Sequence, residues 1–331
     1  MFLPGLLTYY GVLNLSSQAV RWFAIAGLLG PTLSGFIVTG VIEGWQGVSR
    51  LLRRIVRWRV GLGWYLFALI GLPAVMVLAT VVRPGALQSL DLSGQPFRVA
   101  YLQAFISMAV IGGPLFEEPG WTGFAHLRLQ RRYGSLVGGL ILGSLWALWH
   151  LPGFLIPSQD LNDIPPRGTV LDFAVFAFAL VSLRLIIISV VNNTRESVLM
   201  AILVHASWNT FYATSLIRLF PTRAVLGSYS NLTIAACALA LVLIAATRGR
   251  LDCQNEADTL PKRQPRPQDD AKKIAFAPSD SSRITSANEV RFVYFRDHHG
   301  HNLRPGAGEH HTAGGENHSS APRLSRRIAE L

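Results

Sequence analysis

The 331-residue chain is 50% hydrophobic, only 15% charged and has a mean hydropathy of +0.34, which excludes an ordinary soluble domain, where about a quarter of the residues are charged. Lys and Arg number 30 against 19 Asp and Glu, a formal net charge of +11. Membrane orientation and attraction to anionic headgroups account for that excess, so nucleic acid is not implied as a partner. The two cysteines, Cys237 and Cys253, supply neither a disulfide framework nor a cysteine metal site.

Taken in order, residues 1–19 open with MFLPGLLTYYGVLN, apolar but too short and too rich in Gly and Pro to span a bilayer. No basic start followed by a small-residue cleavage site marks a signal peptide, and an interfacial segment is expected. A spanning helix needs about 20 mostly apolar residues, and seven stretches qualify: 20–42, 62–82, 97–127, 135–156, 169–191, 197–217 and 228–247. The expected fold is an all-α polytopic membrane bundle of about seven transmembrane helices occupying residues 20–247. Gly30-Pro31 predicts a kink in the first helix. LLRRIVRWRV, residues 51–60, interleaves arginine with apolar residues and predicts a short amphipathic helix on the inner leaflet. The third run carries its apolar character past Glu117 and Glu118, with Pro119-Gly120 as a bend.

Arginine placement sets the orientation. The loop after the first helix holds Arg50, Arg53, Arg54, Arg57 and Arg59, the turn after the third holds Arg128, Arg131 and Arg132, and Arg248 and Arg250 follow the seventh, while the alternate connections 83–96, 157–168 and 218–227 carry fewer. Every second loop is the basic one, as cytoplasmic loops require. The expectation is an integral protein of a bacterial-type plasma membrane with its C-terminus in the cytoplasm. Residues 248–331 are polar and poor in apolar side chains, predicting a disordered cytoplasmic tail; its histidine-rich runs around His298 and His310 are weak metal signals. Arg184, inside the fifth run, is expected to snorkel to the headgroups, and His126 to lie at the interface.

Ionisable groups inside apolar runs default to function. Three clusters stand out: Glu117-Glu118-Pro119-Gly120-Trp121-Thr122, Trp146 to His150, and His205 to Asn209. The spacing of four places His205 and Asn209 one turn apart on one helix face. Two carboxylates and two histidines buried together suit hydrolysis: a glutamate accepts a proton from water, the imidazoles hold a metal that acidifies that water or orient it directly, and Asn209 donates to a developing oxyanion. Trp121, Trp146, Trp149 and Trp208 read as packing.

Residues 97–217 resemble the CPBP family of intramembrane proteases, which includes the type II CAAX prenyl endopeptidases and bacteriocin self-immunity proteins. Its members carry Glu-Glu-x-x-x-Arg, Phe-x-x-x-His and His-x-x-x-Asn motifs on successive helices, which look here like Glu117-Glu118-…-Thr122, Trp146-…-His150 and His205-…-Asn209. The resemblance implies an all-helical membrane core cleaving near its cytoplasmic side. It further implies that Glu117 activates the water with His150, and that His205 and Asn209 bind metal or support the oxyanion. A divalent metal such as zinc on Glu117, His150 and His205 and a reaction carried by glutamate alone both stay open. The substrate implied is a membrane-associated peptide or protein, CAAX-like or bacteriocin-like, met within the lipid bilayer. Trp146 for Phe is a mild departure. Thr122 for Arg removes a cation beside the carboxylates, so a catalytically impaired member acting as a membrane binding or regulatory protein is an alternative, as is a proton-coupled transporter.

Overall fold

A computed structural model describes residues 3–92, 97–156, 169–221 and 230–252 of the chain. These lie within one compact unit, Met1–Asn255; the predicted tail beyond Asp252, with Cys253, His298 and His310, lies outside the described residues. Every regular element described is helical. α1 is Leu3–Tyr9, α2 Ser17–Ile55, α3 Leu62–Val81, α4 Phe97–Val110, α5 Pro114–Phe154, α6 Val170–Asn192, α7 residues 198–219 and α8 Ser230–Thr247. Of these, α2, α3, α5, α6 and α8 are long and apolar enough to cross a membrane. The seven predicted stretches all fall on them or on the shorter α4 and on α7.

The helix starts follow local chemistry. The Ser16 hydroxyl accepts from the Ala19 amide at 3.2 Å to begin α2. Thr169 and Asp172 cap α6 reciprocally, Thr169 Oγ1 accepting from the Asp172 amide and the Thr169 amide donating to Asp172 Oδ2, and Ser197 accepts from Met200 at the start of α7; each satisfies amides that have no partner inside the helix.

Three details differ from the sequence reading. α2 stays helical through Pro31 and bends at Gly44, whose φ of 61° and ψ of −163° no side chain favours. Past that kink a second helical arm runs to Ile55, so residues 51–55 of the arginine-rich run form its end and residues 56–60 lie beyond it. The apolar run 97–127 is broken at Ile111-Gly112-Gly113, where Gly113 has φ 110°; the glutamates therefore begin a new helix, and do not lie midway along an old one. The irregularity expected at Pro119-Gly120 begins at the next residue, as a π stretch over Trp121–His126. α5 bends once more at Gly134, φ 78° and ψ 168°, which separates the two arms predicted as distinct spans. Past Thr247, Leu251 is still buried against Leu185, Ile188 and Ala240.

α6 is the central element. From Ala179 to Val191 nearly every residue is buried, because α5 packs on one side and α8 on the other. The α5–α6 approach is close. A Cβ at Gly139 would lie 2.7 Å from Leu185 Cδ2 and one at Gly143 2.9 Å from Val181 Cα, the small-residue seam expected where helices meet without water to drive them together. The first arm of α5 crosses α2 as tightly, with Gly120 set against the Pro31 carbonyl and Thr32 Oγ1 donating to the Phe116 carbonyl at 2.5 Å. Toward the outside, α2 presents Trp22, Phe23, Leu33, Ile37 and Val41 and α8 presents Ile234, Leu241 and Val242. Helices with apolar outer faces and internally satisfied backbones are what lipid accepts: this is an integral membrane protein.

Candidate active site

The Gly112-Gly113 turn aims the start of α5. Gly113 occupies a backbone conformation that disfavours side chains, and a Cβ there would run into the Glu117 carboxylate. Its carbonyl accepts the Glu117 amide at 2.8 Å, and Pro114 at the first helical position has no amide to leave unsatisfied. Glu117 and Glu118 follow in consecutive positions, both buried.

Adjacent residues on a helix point about 100° apart, and the two carboxylates accordingly meet different partners. Glu117 Oε2 accepts from the Trp146 indole Nε1 at 2.9 Å. Glu118 is saturated: Oε2 accepts from Arg184 Nη1 at 2.9 Å and from the Thr122 hydroxyl, and Oε1 accepts from Arg184 Nη2 at 3.2 Å and from His205 Nδ1 at 2.9 Å. Arg184 Nη1 also donates to Thr122 Oγ1 at 3.0 Å. The fork of the guanidinium thus matches the fork of the carboxylate, the geometry that makes such pairs strong and directional.

Arg184 was expected to snorkel to the surface, and it does not. It is fully buried, along with Glu118, because α6 is wedged between α5 and α8 and residue 184 faces the α5 glycine seam; the Arg184 Cβ lies 3.3 Å from where a Gly143 Cβ would be. A route to headgroups is closed, and the buried carboxylate is the better partner. Its guanidinium lies over the Trp146 ring at 4.2 Å, a cation–π contact strengthened by the absence of water.

Trp146 is accordingly more than packing. It donates to Glu117, supports Arg184, and meets the His205 ring edge-on at 4.9 Å, while its own carbonyl accepts from His150 Nδ1 at 2.8 Å one turn later. His150 is further lined by Phe176, centroid to centroid 5.4 Å. Both contacts use the Nδ1 of their ring.

Asn209 shares a face of α7 with His205 but reaches elsewhere: its Nδ2 donates to the Gly112 carbonyl at 3.3 Å, at the turn that launches the glutamates. So Glu117, Glu118 and His205 cluster around Trp146 with His150 one turn away, and Asn209 sits beside them on the α4–α5 turn. His126, expected at the interface, is fully buried, with Nε2 donating to Asn192 Oδ1 at 3.3 Å.

For a metal, the donor set fits poorly. Among the described residues no group of three or more His, Cys, Asp or Glu side chains stands close enough to hold one ion. No step below is routed through a metal.

Two comparisons bear on this site. Residues 99–211, which contain every residue just described at it, match the family described as type II CAAX prenyl endopeptidase Rce1-like. Over 138 residues the chain is 25% identical to "CAAX prenyl protease 2" of Methanococcus maripaludis, covering 40% of this chain and 50% of the relative. The alignment therefore spans half the length of that relative.

Proposed function

We propose, because residues 99–211 match the family described as type II CAAX prenyl endopeptidase Rce1-like, that the chain is an intramembrane endopeptidase that hydrolyses a peptide bond of a membrane-associated, CAAX-like or bacteriocin-like substrate. The observation that carries this reading is the Trp146-centred cluster, which gathers an acid and two imidazoles from both arms of α5 and from α7 inside an apolar bundle.

In this reading Glu117 is the general base. One of its oxygens is tied to the Trp146 N–H and the other accepts a proton from a water. The water oxygen bonds to the scissile carbonyl carbon, the carbonyl electron pair moves to oxygen, and the C–N bond breaks as Glu117 returns the proton to the departing amine. His150 orients the water with Glu117. His205, its Nδ1–H given to Glu118, donates from Nε2 in its doubly protonated form, and the second N–H of the Asn209 amide donates beside it, both toward the oxyanion. The enzyme sits in a bacterial-type plasma membrane with the C-terminus in the cytoplasm, as the alternating basic loops favour.

The impaired-member alternative arose from the absence of a cation at Thr122. Arg184 brings a cation to Glu118 from another helix, which favours the active enzyme over that alternative. Cleavage of a farnesylated CAAX-type peptide in proteoliposomes tests the reading: wild-type protein cleaves it, and Glu117→Gln and His150→Ala abolish cleavage. A peptide cut equally well by both variants sinks the mechanism.

A further inference from the structure

We propose that Arg184, on a helix that contributes none of the recognised motif residues, is a positioning residue that divides the labour between the adjacent glutamates, and that it stands in for the arginine the first motif lacks at Thr122. Resting on the peptidase reading above, it goes beyond it by assigning a role to a residue no motif contains.

Glu117 and Glu118 are neighbouring buried carboxylates. Side by side in a low-dielectric core they repel, and they persist with distinct roles only if their surroundings differ. Here the difference is the guanidinium. Both Glu118 oxygens are bonded to Arg184, with Thr122 and His205 taking the remaining acceptor directions. Glu118 is left with no lone-pair direction for a water; its task is to hold the His205 ring. Glu117 has the neutral Trp146 N–H and no hydrogen bond from Arg184. One carboxylate is fixed as a strut and its neighbour is left to react.

Three positions share this device. Thr122 is short enough to let the guanidinium through and donates to the same Glu118 oxygen that Arg184 Nη1 reaches. Trp146 provides a flat face under the guanidinium at 4.2 Å. Gly143 lets α6 come close enough for Arg184 to reach, since a Cβ there would lie 2.9 Å from Val181 Cα and 3.3 Å from Arg184 Cβ. The two departures from the motif pattern, Thr122 and Trp146, are therefore the two side chains that touch the guanidinium from α5. They read as one linked change.

Because Thr122 Oγ1 lies 3.0 Å from Arg184 Nη1, a longer side chain at 122 would enter the volume the guanidinium fills. This gives a sign-dependent test. Thr122→Arg alone crowds two cations onto one carboxylate; Arg184→Leu alone strands Glu118; the double variant returns one cation to one carboxylate. The four proteins, with Arg184→Lys as a milder variant, are compared by thermal unfolding in detergent and by kcat and KM on the farnesylated peptide in proteoliposomes.

Each single variant is expected to lower Tm by at least ~5 °C and kcat by about 100-fold with KM within about 2-fold. The double variant is expected to recover both most of the way, and Arg184→Lys, which keeps charge but loses the fork, to retain Tm better than kcat. Additive losses in the double variant, or an Arg184→Lys protein with wild-type kcat, overturn the proposal. If wild-type protein leaves the peptide uncut, the peptidase reading fails, whereas the Tm cycle still decides whether the cation has moved.

Discussion

The Trp146 indole N–H donates to Glu117 Oε2 at 2.9 Å, so the aromatic residue one turn before His150 holds the carboxylate read as the base. A phenylalanine at this place, the residue of the resembled motif, would fill the space and donate nothing. Trp146→Phe is therefore expected to keep the fold and lower kcat by about 10- to 100-fold, with KM little changed, because a hydrogen bond to a buried charged group contributes about 1.5–3 kcal/mol. Trp146→Ala also removes the support under Arg184 and should cost about 3–5 kcal/mol of stability. Peptide cleavage and detergent unfolding separate the two; a Trp146→Phe enzyme with undiminished kcat would show the indole contact to be incidental.

The two glutamates should fail differently. Glu117→Gln leaves Trp146 an acceptor and strands no cation, so the protein should unfold near the wild-type temperature while turnover drops at least ~100-fold. Glu118→Gln removes the counter-charge of a fully buried Arg184, and losing one partner of a buried pair costs about 3–5 kcal/mol. A large fall in Tm is expected there and not for Glu117→Gln. The same Tm for both variants would contradict the division of roles.

What could be read beforehand, and what could not, divides along local and non-local lines. Apolar run length located the helices because it is a property of contiguous residues, and the spacing of four put His205 and Asn209 on one face of α7. The break at Gly112-Gly113 escaped because hydropathy does not register φ: two glycines inside an apolar stretch look like more of the stretch. Arg184 escaped for a different reason. Its run, VFAFALVSLRLIIIS, shows a lone charge in lipid-like sequence, which is a signal of function, but which carboxylate it meets depends on α5 and α6 packing through Gly139 and Gly143. Once Arg184 was assigned to the headgroups, Thr122 looked like a loss, although the missing charge was 62 residues away.

That glycine seam yields its own prediction. Gly143→Ala places a methyl 2.9 Å from Val181 Cα, and overpacking of this kind costs about 1–3 kcal/mol. Since backbone is the obstacle, α6 must shift, carrying Arg184 with it, so kcat should fall along with Tm. Gly63→Ala is the matched control: it lies in α3, with nothing within 4 Å of a built Cβ, and replacing glycine in a helix stabilises by up to about 1 kcal/mol. Loss of activity in the Gly63 variant, or none in the Gly143 variant, would separate the seam from the site.

Metal removal is the remaining lever. Three protein ligands are the usual minimum for a catalytic zinc, and here they would have to be Glu117, His150 and His205. Among the described residues no such trio converges on one point. Proteoliposomes dialysed exhaustively against a strong chelator should therefore keep cleavage within about 2-fold of the untreated sample, a change of no more than about 0.4 kcal/mol in the barrier. Full loss on chelation, reversed by added zinc and by no other treatment, would place an ion on Nε2 of the two imidazoles and require Glu117 to swing its second oxygen toward it.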